Sequence, residues 1–353
     1  MRSPSLKLNF GRRGGVDVVG LDIQPGHVAA VRARVNGSIV VEHAAGAPLP
    51  ADTVREGEVL DERVLSETLR EVFKDGSLSR HVRVGVANQR MVLRTLELPP
   101  VNDRKELAAA VHFMAQDEVP MPLSNAVLDF HPLGIIHTPA GPRQRVVLVA
   151  AQRDMVQRLL TAVRDAGLRP EGIDLSAFAL IRSLYRPDPE HAGRVLYLNV
   201  DGLTNMAIAE GTTCRFTRVV GGGIEAIAGE LAERRSIPLV DARALLAAVD
   251  LTAPADYGEE DVRTVLESGI REIAGEVRNS LDFHRSQEGG GEVSLVVLSG
   301  SALELSGFAD ALQDQLGVHV ERESVPLDGL DFGGISAHRL AIAAGLAVEE
   351  APQ

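Results

Sequence analysis

At 353 residues the chain is long for one hydrophobic core, so two or more domains are expected. A net charge of −13, with no basic stripe interleaved with aromatics, excludes nucleic acid as the main ligand. Hydrophobic residues make up 45% of the chain but none is Trp, so the cores must be aliphatic.

A single cysteine, Cys214, excludes an internal disulfide and a cysteine-built zinc site, and it reads as a small buried strand residue in a reducing compartment. No apolar run reaches the roughly 18 residues of a membrane span and no signal-peptide core is found, which predicts a soluble, intracellular protein. Residues 1–15 form a basic arm, with Arg2, Lys7, Arg12 and Arg13 and no acid, and Leu6, Leu8 and Phe10 alternating among them. The arm reads either as a contact for an anionic membrane face or a partner, or as a disordered tail.

Val16–Ala33 reads as two strands about the turn Gln24-Pro25-Gly26, with Asp22 just before it. A hairpin tip with a carboxylate at its root can aim backbone N–H groups at an anion and hold a hydrated metal beside it. A third strand, Ser38–Glu42, a loop, and a helix capped by Asp61 follow; Val64, Leu65, Leu69, Val72 and Phe73 form the helix stripe and Gly76 stops it. His81–Ala87 alternates as a half-buried strand, and Met91–Leu98 is another. Asn102 or Asp103 caps a helix through Gln116. Strands Ala126–Pro132 and Arg145–Ala150 flank a loop at His137–Pro142, and the helix Asp154–Ala166 ends at Gly167. Gly172–Leu175 and the helix Ser176–Tyr185 precede a Pro-bearing linker, Arg186–Gly193.

The second half repeats the first in outline. Strands Val195–Val200, Asn205–Ala209 and Cys214–Val219 lead through Gly221-Gly222-Gly223 into a helix, Ile224–Arg235. A long helical stretch, Glu259–Gln287, carries an apolar stripe. The strand Val293–Leu298 runs into Ser299-Gly300-Ser301, followed by a helix Ser306–Leu316, a strand Val318–Glu321 and a last helix Arg339–Val348. This order implies two α/β lobes, each a βββαβα unit, with an α+β unit inserted in the first.

Two hairpin tips facing each other, with a glycine turn opening a helix, describe a cleft for a nucleotide. Asp22 would hold Mg²⁺ through water, and Gly221–Gly223 would let backbone approach the ligand at a helix N-terminus. Ser299-Gly300-Ser301 would lie against the base or ribose. His27 reads as a phosphate contact or an exposed turn residue. Glu259-Glu260-Asp261 reads as a helix N-terminus in preference to a metal site.

VVGLDI at 18–23, LRTLELPPV at 93–101, AAVHFMAQDEVPMPLSNAVLDFHPLG at 109–134, AGLRPEGIDLSAFALIRSL at 166–184, FTRVVGGGIEAIAGEL at 216–231 and VVLSGSALELSGFADALQDQLGV at 296–318 together resemble the actin-like ATPase fold and, within it, the PilM family of pilus-assembly proteins, relatives of FtsA. The resemblance implies a lobe 1A at 16–80 plus 169–190, an inserted 1C-like subdomain at 81–168, a lobe 2A at 193–223 plus 289–353, and a helical 2B-like part at 224–288. It implies ATP and Mg²⁺ between the lobes. Nucleotide contacts would come from Gln24, Gly26, His27, Asn199, Gly202, Thr204, Gly221, Gly222, Gly223, Glu225, Gly300 and Ser301, with Asp22 and Asp201 at the metal. It further implies a scaffold at the cytoplasmic face of the inner membrane, binding the N-terminal tail of a PilN-like membrane protein and meeting other platform and motor proteins of a type IV pilus or related secretion system. An extended peptide would lie in a groove drawn from Val82–Leu98 and the helix Asp103–Gln116.

This sequence departs from the family pattern at the tips. The first turn is Gln24-Pro25-Gly26-His27, without hydroxyl residues; Asn199 stands for the usual Asp, with Asp201 near it; Ser301 and Ala302 stand for glycines. These departures predict weak ATP hydrolysis at most. Asp174 is the candidate to polarise water, or else a helix cap. The alternatives to a nucleotide-binding scaffold are a scaffold of this fold that binds no nucleotide, and a small-molecule kinase.

Overall fold

The computed structural model describes residues 17–139, 141–187, 193–254, 258–287, 289–327 and 335–349. The basic arm at 1–15 and the middle of the linker at Arg186–Gly193 lie outside the described residues.

β1 (Val19–Gln24) and β2 (His27–Asn36) are the opening hairpin, paired from Gly20–Val31 to Gln24–His27. β3 (Ser38–Pro48) runs past the expected Glu42, because it pairs with β2 all the way back to His27. A short hairpin unforeseen in the sequence follows, β4 (Val54–Arg55) and β5 (Glu58–Val59). α1 (Glu62–Val72) starts where Asp61 accepts from the Val64 N–H at 2.9 Å, and it buries Leu65 and Leu69.

β6 (His81–Val86) and β7 (Val92–Leu98) precede α2 (Arg104–Glu118), capped by Asp103. β8 (Ala126–Thr138) and β9 (Gly141–Gln152) form one long hairpin; the expected loop is only its turn, since pairing continues to Thr138–Gly141 through a bulge at Pro132–Gly134. α3 (Arg153–Asp165), β10 (Arg169–Leu175) and α4 (Ser176–Leu184) complete this half.

The second half holds β11 (Arg194–Val200), β12 (Thr204–Glu210), β13 (Thr213–Val220) and α5 (Ile224–Arg235). α6 (Leu239–Ala248) was not expected, and α7 (Glu260–Ser286) follows it. β14 (Val293–Ser299), α8 (Phe308–Leu316), β15 (His319–Arg322) and α9 (Ala341–Ala347) close the chain. α8 starts at Phe308, later than expected, because Gly307 stands at φ +80°.

Each half builds a five-stranded sheet of the same order: β3-β2-β1-β6-β10 in the first and β13-β12-β11-β14-β15 in the second. Its first three strands are antiparallel and its last three parallel in both. The unit expected at 81–168 is divided by this sheet. β6 lies between β1 and β10, and α3 packs on α1, so what leaves the sheet is β7, α2, β8 and β9, with sheet order β7-β9-β8. Nor is β6 half-buried. Arg83 and Gly85 between its valines are buried too, as suits a central parallel strand.

Two helices tie the halves together by exchange. α4 leaves the first sheet and packs through Ala177, Leu180 and Leu184 on Tyr197, Ala207 and Val297 of the second. α9, from the second half, packs through Ala343 and Ala344, with Val348 just after it, on Ala29, Val31 and Val41 of the first. The two helices also pack on each other, closely enough that a β-carbon on Gly345 would sit 1.9 Å from the Ala179 carbonyl oxygen.

Candidate functional site

The two hairpins bring their roots together as expected. Asp22 on β1 is 2% exposed, and both its oxygens accept from Gln24 Nε2, at 3.2 and 3.3 Å. Asp201, at the tip between β11 and β12, is 3% exposed and accepts from Ser301 Oγ at 2.8 Å. His27 Nε2 lies 3.6 Å from the other Asp201 oxygen, too far for a hydrogen bond, and has no other partner. Burial and then the nearby Asp201 carboxylate push the Asp22 carboxyl up to about 7. His27 is held below its ordinary value, first by burial; Asp201 opposes this and Arg339 adds to it.

The tips touch. A β-carbon on Gly202 would sit 2.2 Å from the Pro25 carbonyl oxygen, and one on Gly223 would sit 2.3 Å from that of Asp201. Gly223 is the N-cap of α5, and Ile224 N–H donates to the Asp201 carbonyl at 2.8 Å. Thr204 Oγ1 donates to the Gly222 carbonyl at 2.5 Å, while Gly222 itself faces open space. Gly221 abuts the Gln89 carboxamide, from the β6–β7 connection. Asn199 Nδ2 donates to Ser299 Oγ at 3.2 Å and its Oδ1 has no partner. Gly300, at φ +97°, donates to the His338 carbonyl at 3.1 Å and packs on Val200.

Two ion pairs that the sequence did not single out flank this cluster. Glu225 lies with its carboxylate against Gly26, and Arg243 of α6 grips it at 2.9 and 2.5 Å. Arg339 binds Glu304 at 2.9 and 3.0 Å, and its field reaches Asp201 and Glu225. The partners stand 18 and 35 residues apart, a separation no local pattern reveals.

Asp174 is placed differently from both its readings. One oxygen takes the Leu175 N–H at 2.8 Å and the other binds Arg182 at 2.5 Å, whose Nε donates to the Gly345 carbonyl. It thus orients the arginine that receives α9, and α4 has no side-chain cap. Of the acids at 259–261, Asp261 is taken by Arg235, and among the described residues no group of three or more His, Cys, Asp or Glu could hold a metal. Cys214 is a half-buried strand residue whose thiol burial pushes up to about 12.

The donors fit a hydrated divalent cation. Asp22 and Asp201 are two buried carboxylates with no buried cation bonded to either, and Mg²⁺ favours one or two carboxylates completed by water and phosphate oxygens. His27 Nε2 has no partner, and α5 has no side-chain cap at its N-terminus, where the helix dipole favours an anion.

Among described residues, no helix is long and apolar enough to cross a membrane. In comparisons with solved structures, a PilM–PilN type IV pilus biogenesis complex matches with a TM-score of 0.79 and 26% identity, over 94% of this chain and 98% of that one. EutJ, an ethanolamine utilization protein from Carboxydothermus hydrogenoformans, matches with a TM-score of 0.52 and 17% identity, over 93% and 88%. MreB5 of Spiroplasma citri bound to AMPPNP matches with a TM-score of 0.53 and 10% identity, over 93% and 94%. These likenesses show the actin-like ATPase fold expected from the sequence. The family described as type IV pilus assembly protein PilM matches residues 20–349, nearly the whole of the described chain, and the protein belongs to that family.

Proposed function

We propose that this chain is a cytoplasmic scaffold on the inner-membrane face of a type IV pilus or related secretion platform. It receives the N-terminal tail of a PilN-like membrane protein and holds ATP with Mg²⁺ between its lobes. The observation that carries the first part is the match to the PilM–PilN complex along nearly the full length of both chains. The groove for the tail starts where β6 passes to β7, beside the three-stranded sheet.

The nucleotide part is supported by the buried Asp22 and Asp201 carboxylates and by the N-terminus of α5, which no side chain caps. Asp22 and Asp201 would hold Mg²⁺, which when bound neutralises phosphate charge. Gly222, Gly223 and His27 would face the phosphates, and Arg243 and Arg339 could exchange Glu225 and Glu304 for them. No carboxylate is free to polarise water at Asp174, which fits turnover that is weak at most. A nucleotide-free scaffold is the second reading. It is favoured by Pro25 seated against Gly202 and by Glu225 seated against Gly26.

Calorimetric titration of ATP·Mg²⁺ into the purified protein decides between them. Saturable binding with no more than slow phosphate release is the expected result, and an absence of saturable heat would leave the nucleotide-free scaffold. A synthetic peptide of the cognate PilN tail, titrated in the same way, tests the partner.

A further inference from the structure

The two hairpin tips meet over an anion that the chain itself supplies. Glu225, the second residue of α5, reaches across from the second half and lays its carboxylate on Gly26, where a β-carbon would sit 2.6 Å from both Cδ and Oε1. Only glycine admits it there. Gly26 stands at φ +88° in the turn between β1 and β2, the turn expected to meet phosphate, so the carboxylate covers the backbone that a phosphate would approach.

The cations beside it are already engaged. Arg243 clasps Glu225 with Nε at 2.9 Å from one oxygen and a terminal nitrogen at 2.5 Å from the other, and Arg339 is held by Glu304. His27 is held below its ordinary value by burial. A phosphate arriving at the tips therefore meets a carboxylate, two paired arginines and a helix whose first turn holds an acid of its own. An acid in a first turn is ordinary, but this one delivers its charge to the turn of the other half.

We propose that Glu225 is an internal stand-in for a nucleotide phosphate: it covers the first turn, keeps Arg243 engaged, and yields both only to a ligand of higher negative charge. The inference rests on the reading that nucleotide binds between the lobes, and it names the residue that sets how tightly. A phosphate can take over the paired contacts that the guanidinium makes to the carboxylate. Glu225 and Arg243 belong to the second half and Gly26 to the first, so the exchange would also release a contact that joins the halves at the cleft.

The test is calorimetric titration of ATP·Mg²⁺ into the full chain and two variants. Glu225→Gln keeps the side-chain size, removes the charge and releases Arg243, so it should bind about tenfold more tightly than wild type, equivalent to about 1.4 kcal/mol. Arg243→Gln leaves the carboxylate on Gly26 without its partner, and binding should weaken. The opposite signs carry the test. If the pair served only to hold α5 to α6, either change would loosen the same contact and both would shift binding in one direction. In the absence of nucleotide, amide exchange at Gly26 and His27 should be faster in Glu225→Gln than in wild type. Heat from neither wild type nor Glu225→Gln would remove the nucleotide reading, and this inference with it. Saturable wild-type binding that Glu225→Gln leaves unchanged or weakens, or that Arg243→Gln strengthens, would overturn the inference alone.

Discussion

Asp22 is the residue on which the cleft turns. Its carboxyl, at about 7, keeps a proton that the unfolded chain, near 3.8, has already lost. Between these values the native state binds more protons, so its contribution to stability falls as pH rises through that window. Asp22→Asn, which keeps the Gln24 contact, should therefore melt above wild type at pH 8 and converge with it near pH 4. The variant should also lose any rise in melting temperature that Mg²⁺ with ATP gives the wild type. A variant that melts no higher than wild type at pH 8 would show that the ionised form is not the costly one.

His284 on α7 runs the opposite way. It is 4% exposed, neither ring nitrogen has a partner, and the Phe216 ring lies tilted against it, with centroids 5.9 Å apart. Burial, and then the charge of Arg194, hold it below its ordinary value of 6.5. The unfolded chain takes up a proton first as pH falls, so stability is lost from about pH 6.5 downward. His284→Phe should narrow the gap in denaturation midpoint between pH 7.5 and pH 5.5. That Asp22 and Asp201 come near each other was legible in the sequence, because Asp22 stands just before the turn of one hairpin and Asp201 at the tip of the other. The roles of Arg243 and Arg339 were not, because their meaning lies in partners that only the fold brings near.

α4 and α9 carry the contact between the halves, and their closeness is set by glycine. A β-carbon on Gly20 would sit 1.9 Å from the Ala343 carbonyl oxygen, as one on Gly345 would from that of Ala179. These atoms are backbone and cannot turn aside. Gly345→Ala should cost about 1–3 kcal/mol in urea unfolding, the usual range for overpacking. Helix propensity alone would predict a gain of roughly 1 kcal/mol, so the sign of the change decides which effect rules. The free C-terminal carbonyls of α9 are met by two arginines, Arg83 buried and Arg182 half-buried. Arg83 donates to Leu346 and Val348, both at 2.9 Å, and Arg182 donates to Gly345 at 2.9 Å. Elements with a sharp period or a cap, such as α1 and α7, could be read from the sequence. α6 could not, because its apolar residues fall on every side and only Ala242 and Leu246 are buried. The β8–β9 tip was also missed, since a proline and a glycine in a bulge look like a loop until the partner strand is seen.

At the scale of the molecule, a chain with a separate core in each half would ordinarily unfold in two steps. Here each half lends a helix to the other's sheet. Leu180 of α4 is fully buried among Tyr197 and Ala207 of the second sheet and Ile342 and Leu346 of α9. Neither sheet can keep that face covered once the other half has opened, so one transition is expected. In urea, hydrogen-exchange probes in β1–β2 and in β11–β12 should share a midpoint. Leu180→Ala should lower it by about 2–5 kcal/mol in stability, the range for emptying a buried leucine site. The decisive variant is Leu69→Ala, whose contacts lie in the first core alone. Coupled halves require it to move the β11–β12 midpoint as far as the β1–β2 midpoint, whereas a shift confined to β1–β2 would mean that the exchanged helices join the halves without making them one folding unit.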